Sequence, residues 1–220
     1  MQQSSINHIT QTNIKLIITG MILMFIIVHI GFHATYIKHF PEFTKFNWIH
    51  HIHGALMGAW VLLLVVQPVL IYHKGFTAHR FLGKLTYVLA PFIMTSMVFV
   101  ARENYQAGIL KKTADDVMAI QSITWMQLFM FVLFYSLAIY HRKITAMHVR
   151  FIIGTAILMI GPPMNRILIS YFPDMGAPNI LPIVLYLKTA IAASLFLIDV
   201  AKKQNWLPYL IVLLAFLFSD

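Results

Sequence analysis

Cysteine is absent from this chain, and that removes disulfides, zinc–thiolate centres, iron–sulfur clusters and thiol nucleophiles at once. Any metal held here is held by nitrogen and oxygen. Charge is also scarce: Asp, Glu, Lys and Arg make up 10% of the 220 residues, and only 7 residues are acidic. So few charges cannot cover the surface of a soluble domain. The carboxylates lie in loops or near the ends of the apolar segments, which weighs against ion-coupled transport, proton pumping and di-iron carboxylate chemistry.

What the chain has in quantity is apolar, with hydrophobic residues at 60%. They fall in seven stretches, at about 14–37, 53–73, 80–101, 122–140, 149–171, 179–199 and 205–219. A helix needs about 20 such residues to cross the hydrocarbon core, so the expected fold is all-α, a polytopic bundle of seven transmembrane helices in a single domain of residues 1–220. Six stretches are long enough. The seventh has 15 residues, which at about 1.5 Å per residue reach roughly 22 Å. It must sit in a thinned bilayer, borrow flanking residues or lie partly in the interface. The polar stretch 1–13 leads into a first span with no small-residue cleavage pattern after it, so the first helix reads as retained.

The formal charge of +9 does not point to nucleic acid, because the bases flank apolar segments and form no soluble basic stripe. With the N-terminus inside, the inner face holds Lys15, Lys74, Arg80, Lys84, Arg142, Lys143, Arg150, Lys202 and Lys203, with Asp199 as its acid. The outer face holds Lys38, Lys45, Arg102, Lys111 and Lys112 together with most of the acids. The positive-inside rule then predicts a bacterial inner-membrane protein with a cytoplasmic N-terminus and, after seven spans, a periplasmic C-terminus. The long connection 102–121 is expected to form a surface helix on the outer face. Gly161-Pro162-Pro163 should break the fifth span in its outer half and free carbonyls near Asn165 and Arg166.

There are 11 histidines, mostly at the ends of apolar segments. Neutral imidazole is the commonest protein ligand for transition metals and haem iron. An outer group comes first. His29 and His33 are four apart on one helical face, and the following connection carries His50, His51 and His53, so a divalent metal site from His29, His33, His51 and His53 is one expectation. The plainer reading is a polar belt at the membrane surface beside Trp48 and Tyr36.

An inner group follows. His79-Arg80 opens the third helix and His148-x-Arg150 the fifth, at similar depth, so haem b between the two imidazoles with Arg80 and Arg150 on its propionates is a second expectation. Against it stand simple positive-inside anchors and solvated caps. His53, Trp60 and Gln67 follow one another at sevens along the second helix and should face the bundle interior, with Trp60 beside a cofactor or cavity. Arg166 and Lys188 are intramembrane cations without an evident acidic partner. With Gln67 and Asn165 they could line a polar cavity. A lysine in a late helix is reminiscent of retinal-binding rhodopsins, but the missing intramembrane counter-ion argues against that.

The residues Gly31-Phe32-x-x-Thr35-Tyr36, His51-x-His53-Gly54, Trp60, Gln67-Pro68-x-Leu70, His79-Arg80-x-x-Gly83, His148-x-Arg150 and Pro163-x-x-Arg166 resemble the pattern of a family of uncharacterised bacterial inner-membrane proteins of about this length. The match spans 31–166, and His29, His33 and His50 are not part of it. A looser similarity to membrane cytochromes with haem b rests only on histidines near both faces. The leading expectation is therefore a membrane protein with histidine-based haem b or metal sites, possible in electron transfer with quinone. One alternative is a small-molecule or lipid carrier. The other is an accessory subunit packed on other membrane proteins, whose adaptable surface would come from 13 methionines and 14% aromatics.

Overall fold

A computed structural model describes residues 11–44 and 46–219; His8, Lys45 and Asp220 lie outside them. Among these residues there are eight α-helices and no strand: α1 (Gln11–His33), α2 (Trp48–Tyr72), α3 (Phe76–Ile109), α4 (Ala114–Tyr140), α5 (Thr145–Leu158), α6 (Gly161–Tyr171), α7 (Ala177–Ala201) and α8 (Leu207–Leu217), with short 3-10 turns at Ile37–His39 and Pro173–Met175. Six segments are long and apolar enough to cross a membrane, α5 and α6 counting together as one, Thr145–Tyr171. The chain is a helical membrane bundle. The expected seventh span is α8, whose 11 residues extend only about 16 Å.

Most helix boundaries lie a few residues from the sequence expectation, and two of the shifts have a local capping reason. α2 starts at Trp48 because the Asn47 side chain caps it, accepting from the His50 backbone N–H at 3.3 Å. α4 starts at Ala114 because Thr113 and Asp116 form a capping box: the Thr113 hydroxyl accepts from the Asp116 N–H at 3.3 Å and donates to its carboxylate at 2.7 Å. With α3 running on to Ile109, the connection 102–121 holds no separate surface helix; it is the tops of α3 and α4 and a tight turn between them. The fifth span breaks as expected, at Met159–Ile160, just before Gly161-Pro162-Pro163 restarts the helix with proline in its first turn. Pro68, Pro91 and Pro182 lie inside uninterrupted helices.

The chain divides into two compact units, one of residues 1–40 and 133–220, the other of 41–132. Sequence composition offered no boundary between them. In the first, α1 packs on α6, α6 on α7, and α8 on both α5 and α7. Phe134, Phe151, Val184, Val212 and Phe216 are fully buried there. Two close approaches set its geometry. A Cβ on Gly31 would fall 2.4 Å from the Pro163 carbonyl oxygen, so there the helices meet nearly backbone to backbone, and one on Gly154 would fall 2.9 Å from the Val212 side chain, which packs into the space the glycine leaves. The second unit is the α2–α3 hairpin with the first part of α4, cored by Trp60, Ile93, Ala101 and Phe131. Trp60 meets Phe131 edge to face, centroids 5.1 Å apart.

α2 and α7 end alike. Lys74 and Lys203 take left-handed backbone (φ 59° and 53°), and the N–H groups of Gly75 and Gln204 return to the carbonyls of Leu70 and Asp199 at 2.7 and 2.8 Å. Both are Schellman closures. The second folds Gln204 back over Asp199, which matters below.

Candidate functional site

In the second unit, the N-terminal end of α2 is tied to α3 by one amide. Asn47 donates from Nδ2 to the Glu103 carboxylate at 2.8 Å, so its Oδ1 is the acceptor facing α2 and takes the His50 ring Nδ1–H at 2.7 Å. His51, half-buried, lies edge-on to Phe43 at 5.0 Å. One turn deeper, His53 Nδ1 is 2.9 Å from the Ser96 hydroxyl. That hydroxyl has a single proton and gives it to the Ile93 carbonyl at 2.7 Å. Toward His53 it can only accept. The neutral His53 ring therefore carries its proton on Nδ1 and its lone pair on Nε2.

Further along the same face Trp60 is 2% exposed, and the Gln67 Oε1 is buried with no hydrogen-bond partner among the described residues. Gln67 lies beside Gly83, where a Cβ would stand 3.9 Å from its Nε2. The expected inward stripe of His53, Trp60 and Gln67 thus has a buried centre and half-buried ends. His79 is half-buried in the first turns of α3, whereas Arg80 is exposed.

In the first unit, His148 repeats the His53 arrangement. Its Nδ1 lies 2.8 Å from the Ala138 carbonyl oxygen, an acceptor only, so the lone pair again resides on Nε2. His29 does the same against the Phe25 carbonyl at 2.8 Å, but it is exposed, as is His33. Among the described residues, no three of His, Asp or Glu come together to hold an ion. His29, His33 and His148 belong to one unit and His51, His53 and His79 to the other.

Arg150 is committed elsewhere than the sequence suggested. Its Nε and Nη2 grip both oxygens of Asp199 at 2.5 and 2.9 Å, Nη2 also donates to Gln204 Oε1 at 2.8 Å, and Nη1 donates to the Ala146 carbonyl at 2.9 Å. Its guanidinium also lies 5.6 Å from the Tyr209 ring centroid. With four donor contacts made, Arg150 locks α5, α7 and α8. Arg166 stacks over the Phe32 ring at 4.4 Å and donates to the Pro162 carbonyl at 3.1 Å, one of the carbonyls near the helix break. Asn165 Oδ1 beside it in sequence is buried without a hydrogen-bond partner among the described residues. Lys188 is 3% exposed, its ammonium 5.2 Å from the Phe216 ring centroid. Asn165, Arg166 and Lys188 belong to one unit and Gln67 to the other.

Sequence reasoning missed Ser96, Asn47, Glu103 and the Arg150–Asp199 pair. Signals existed for two of them: an asparagine three before His50, and a lone acid near the C-terminal end of a span that holds only one. No family model, curated protein or solved structure matches this chain.

Proposed function

We propose that this chain is a haem-b-binding protein of the bacterial inner membrane, belonging to the family its motifs resemble, in which a histidine Nε2 ligates the iron and electrons pass to or from a membrane quinone. The observation that carries the reading is the fixed Nδ1–H of His53 and His148. Ligating imidazoles almost always donate their other N–H to an oxygen acceptor, which sets ring orientation and tautomer, and these two do so from half-buried positions. Haem supplies four nitrogens of its own and asks the protein for one or two. A divalent ion asks for three, which makes haem the better fit to histidines that do not cluster.

Family membership draws support from contacts between motif residues: Gly31 against Pro163, Phe32 under Arg166, and Gln67 beside Gly83. Orientation follows from the lysine and arginine asymmetry, with the N-terminus cytoplasmic. The test is an absorption spectrum of protein purified in mild detergent, with elemental analysis alongside. A Soret band is expected. It should vanish in His53→Ala or His148→Ala, whichever is the ligand. If His53 is the ligand, Ser96→Ala, which removes the acceptor that orients His53, should weaken haem retention by about 10–100-fold. No Soret band and no stoichiometric metal would refute the proposal.

A second reading, a carrier for small polar molecules or lipids, is favoured by one observation: Asn165 Oδ1 is buried unpartnered in the same unit as the buried Lys188. It requires that Lys188→Met change the binding of copurified anions or lipids.

A further inference from the structure

The top of the α3–α4 pair carries an open groove of about 510 Å³, walled by Val98, Tyr105, Met118 and Trp125, with Gln121 at its floor and Arg102 at its rim. Its lining is mainly apolar, and Arg102 is the one charged residue in it, beside the polar Gln121 and Ser122. That arginine is exposed and makes no hydrogen bond or ion pair among the described residues. The neighbouring acid is not its partner, since the Glu103 carboxylate accepts from Asn47 instead.

Depth decides what such a groove can hold. Gln121 donates to the Ala101 carbonyl at 3.0 Å, which puts Arg102 level with residue 121 of α4. From there to Tyr140, where α4 ends at the basic turn His141-Arg142-Lys143, the helix descends roughly 28 Å at about 1.5 Å per residue. That is the thickness of the hydrocarbon core, about 30 Å. Arg102 therefore stands at headgroup level. Trp125 lies one turn deeper, just below the headgroups at the interface where tryptophans collect.

We propose that this groove binds one anionic phospholipid of the outer leaflet, its phosphodiester on Arg102 and one acyl chain along Val98, Met118 and Trp125. The unpaired cation selects headgroup charge. The apolar wall below it requires a chain, so a free phosphate satisfies only half of the site.

Trp125 provides the readout. The protein is reconstituted into vesicles in which acyl-brominated phosphatidylglycerol or phosphatidylethanolamine is titrated at equal mole fraction, and quenching of the Trp125 component is taken as the difference between wild type and Trp125→Phe. Phosphatidylglycerol should half-saturate quenching at a fraction about fivefold lower, the effect of one basic side chain near an anionic headgroup. Arg102→Gln should erase that preference and Arg102→Lys keep most of it, while Val98→Phe should block the groove to both lipids. Equal quenching by the two lipids, an unchanged preference in Arg102→Gln, or displacement of the lipid by millimolar inorganic phosphate would each overturn the proposal.

Discussion

Replacing Asp199 with leucine strands the Arg150 guanidinium in the interior of the first unit. In the native arrangement the two side chains are 12% and 6% exposed, and Asp199 accepts two of the four hydrogen bonds that Arg150 donates. The substitution leaves a buried cation with only Gln204 and the Ala146 carbonyl, and losing one partner of a buried pair costs about 3–5 kcal/mol. At roughly 2–4 °C per kcal/mol for a chain of this length, the apparent melting temperature in detergent should fall by about 6–20 °C. Removing both charges, in Arg150→Met with Asp199→Leu, should recover most or all of the loss, because a buried pair replaced by apolar side chains of similar volume is often neutral or better. Trp206 reports the transition locally, since it packs edge to face on Phe196 at 6.0 Å next to the turn that carries Gln204. If the single and double variants melt together, or if Asp199→Leu melts like wild type, the pair does not hold α5, α7 and α8 in the way argued.

Two more outcomes follow from packing and capping. Gly31→Ala places a methyl group 2.4 Å from the Pro163 carbonyl oxygen, against backbone that cannot swing aside, and should destabilise the first unit by about 1–3 kcal/mol; Gly20→Ala, where the added atom meets nothing within 4 Å, is the matched control. Asn47→Ala removes the cap of α2 and its link to Glu103 together, and should cost about 1 kcal/mol for the cap alone, with faster amide exchange confined to the first turn of α2. Unchanged exchange there, measured by mass spectrometry, would show that the cap contributes nothing.

The architecture was legible because hydrophobic length is a strong signal in a membrane: each span had to satisfy its backbone within itself, and few sequences other than a helix do that. Helix ends were less legible. Apolar content marks where lipid begins, while the helix ends where capping chemistry stops it, and Asn47 and the Thr113-x-x-Asp116 box lie several residues outside the apolar boundaries. The break before Gly161-Pro162-Pro163 could be read directly, because proline acts on its own backbone.

The candidate site was half visible. His53, Trp60 and Gln67 were placed on one face by period alone, but Ser96 is 43 residues from His53 and nothing in a single chain marks a serine as the partner of a given imidazole. Arg150 shows the opposite case. Its charge stood out beside the apolar spans, yet a salt bridge between residues 49 apart looks in sequence like two unrelated loop charges. The turn that brings Gln204 over Asp199 depends on a lysine in a left-handed conformation, where sequence would have asked for glycine.

α3 has 34 residues, about 51 Å of helix, against a hydrocarbon core of about 30 Å. Even tilted at about 40°, the limit of what spans usually adopt, it would cover roughly 39 Å along the membrane normal, so its upper turns stand in water with Lys111 and Lys112 at the bend. That bend is a hydrogen-bonded, chemically addressable turn, with the N–H groups of Lys111 and Lys112 both on the Gly108 carbonyl at 2.9 Å. In a chain without a single native thiol, one cysteine placed at Lys112 would be the molecule's sole attachment point, held at fixed height above the lipid for a spectroscopic label or a gold particle.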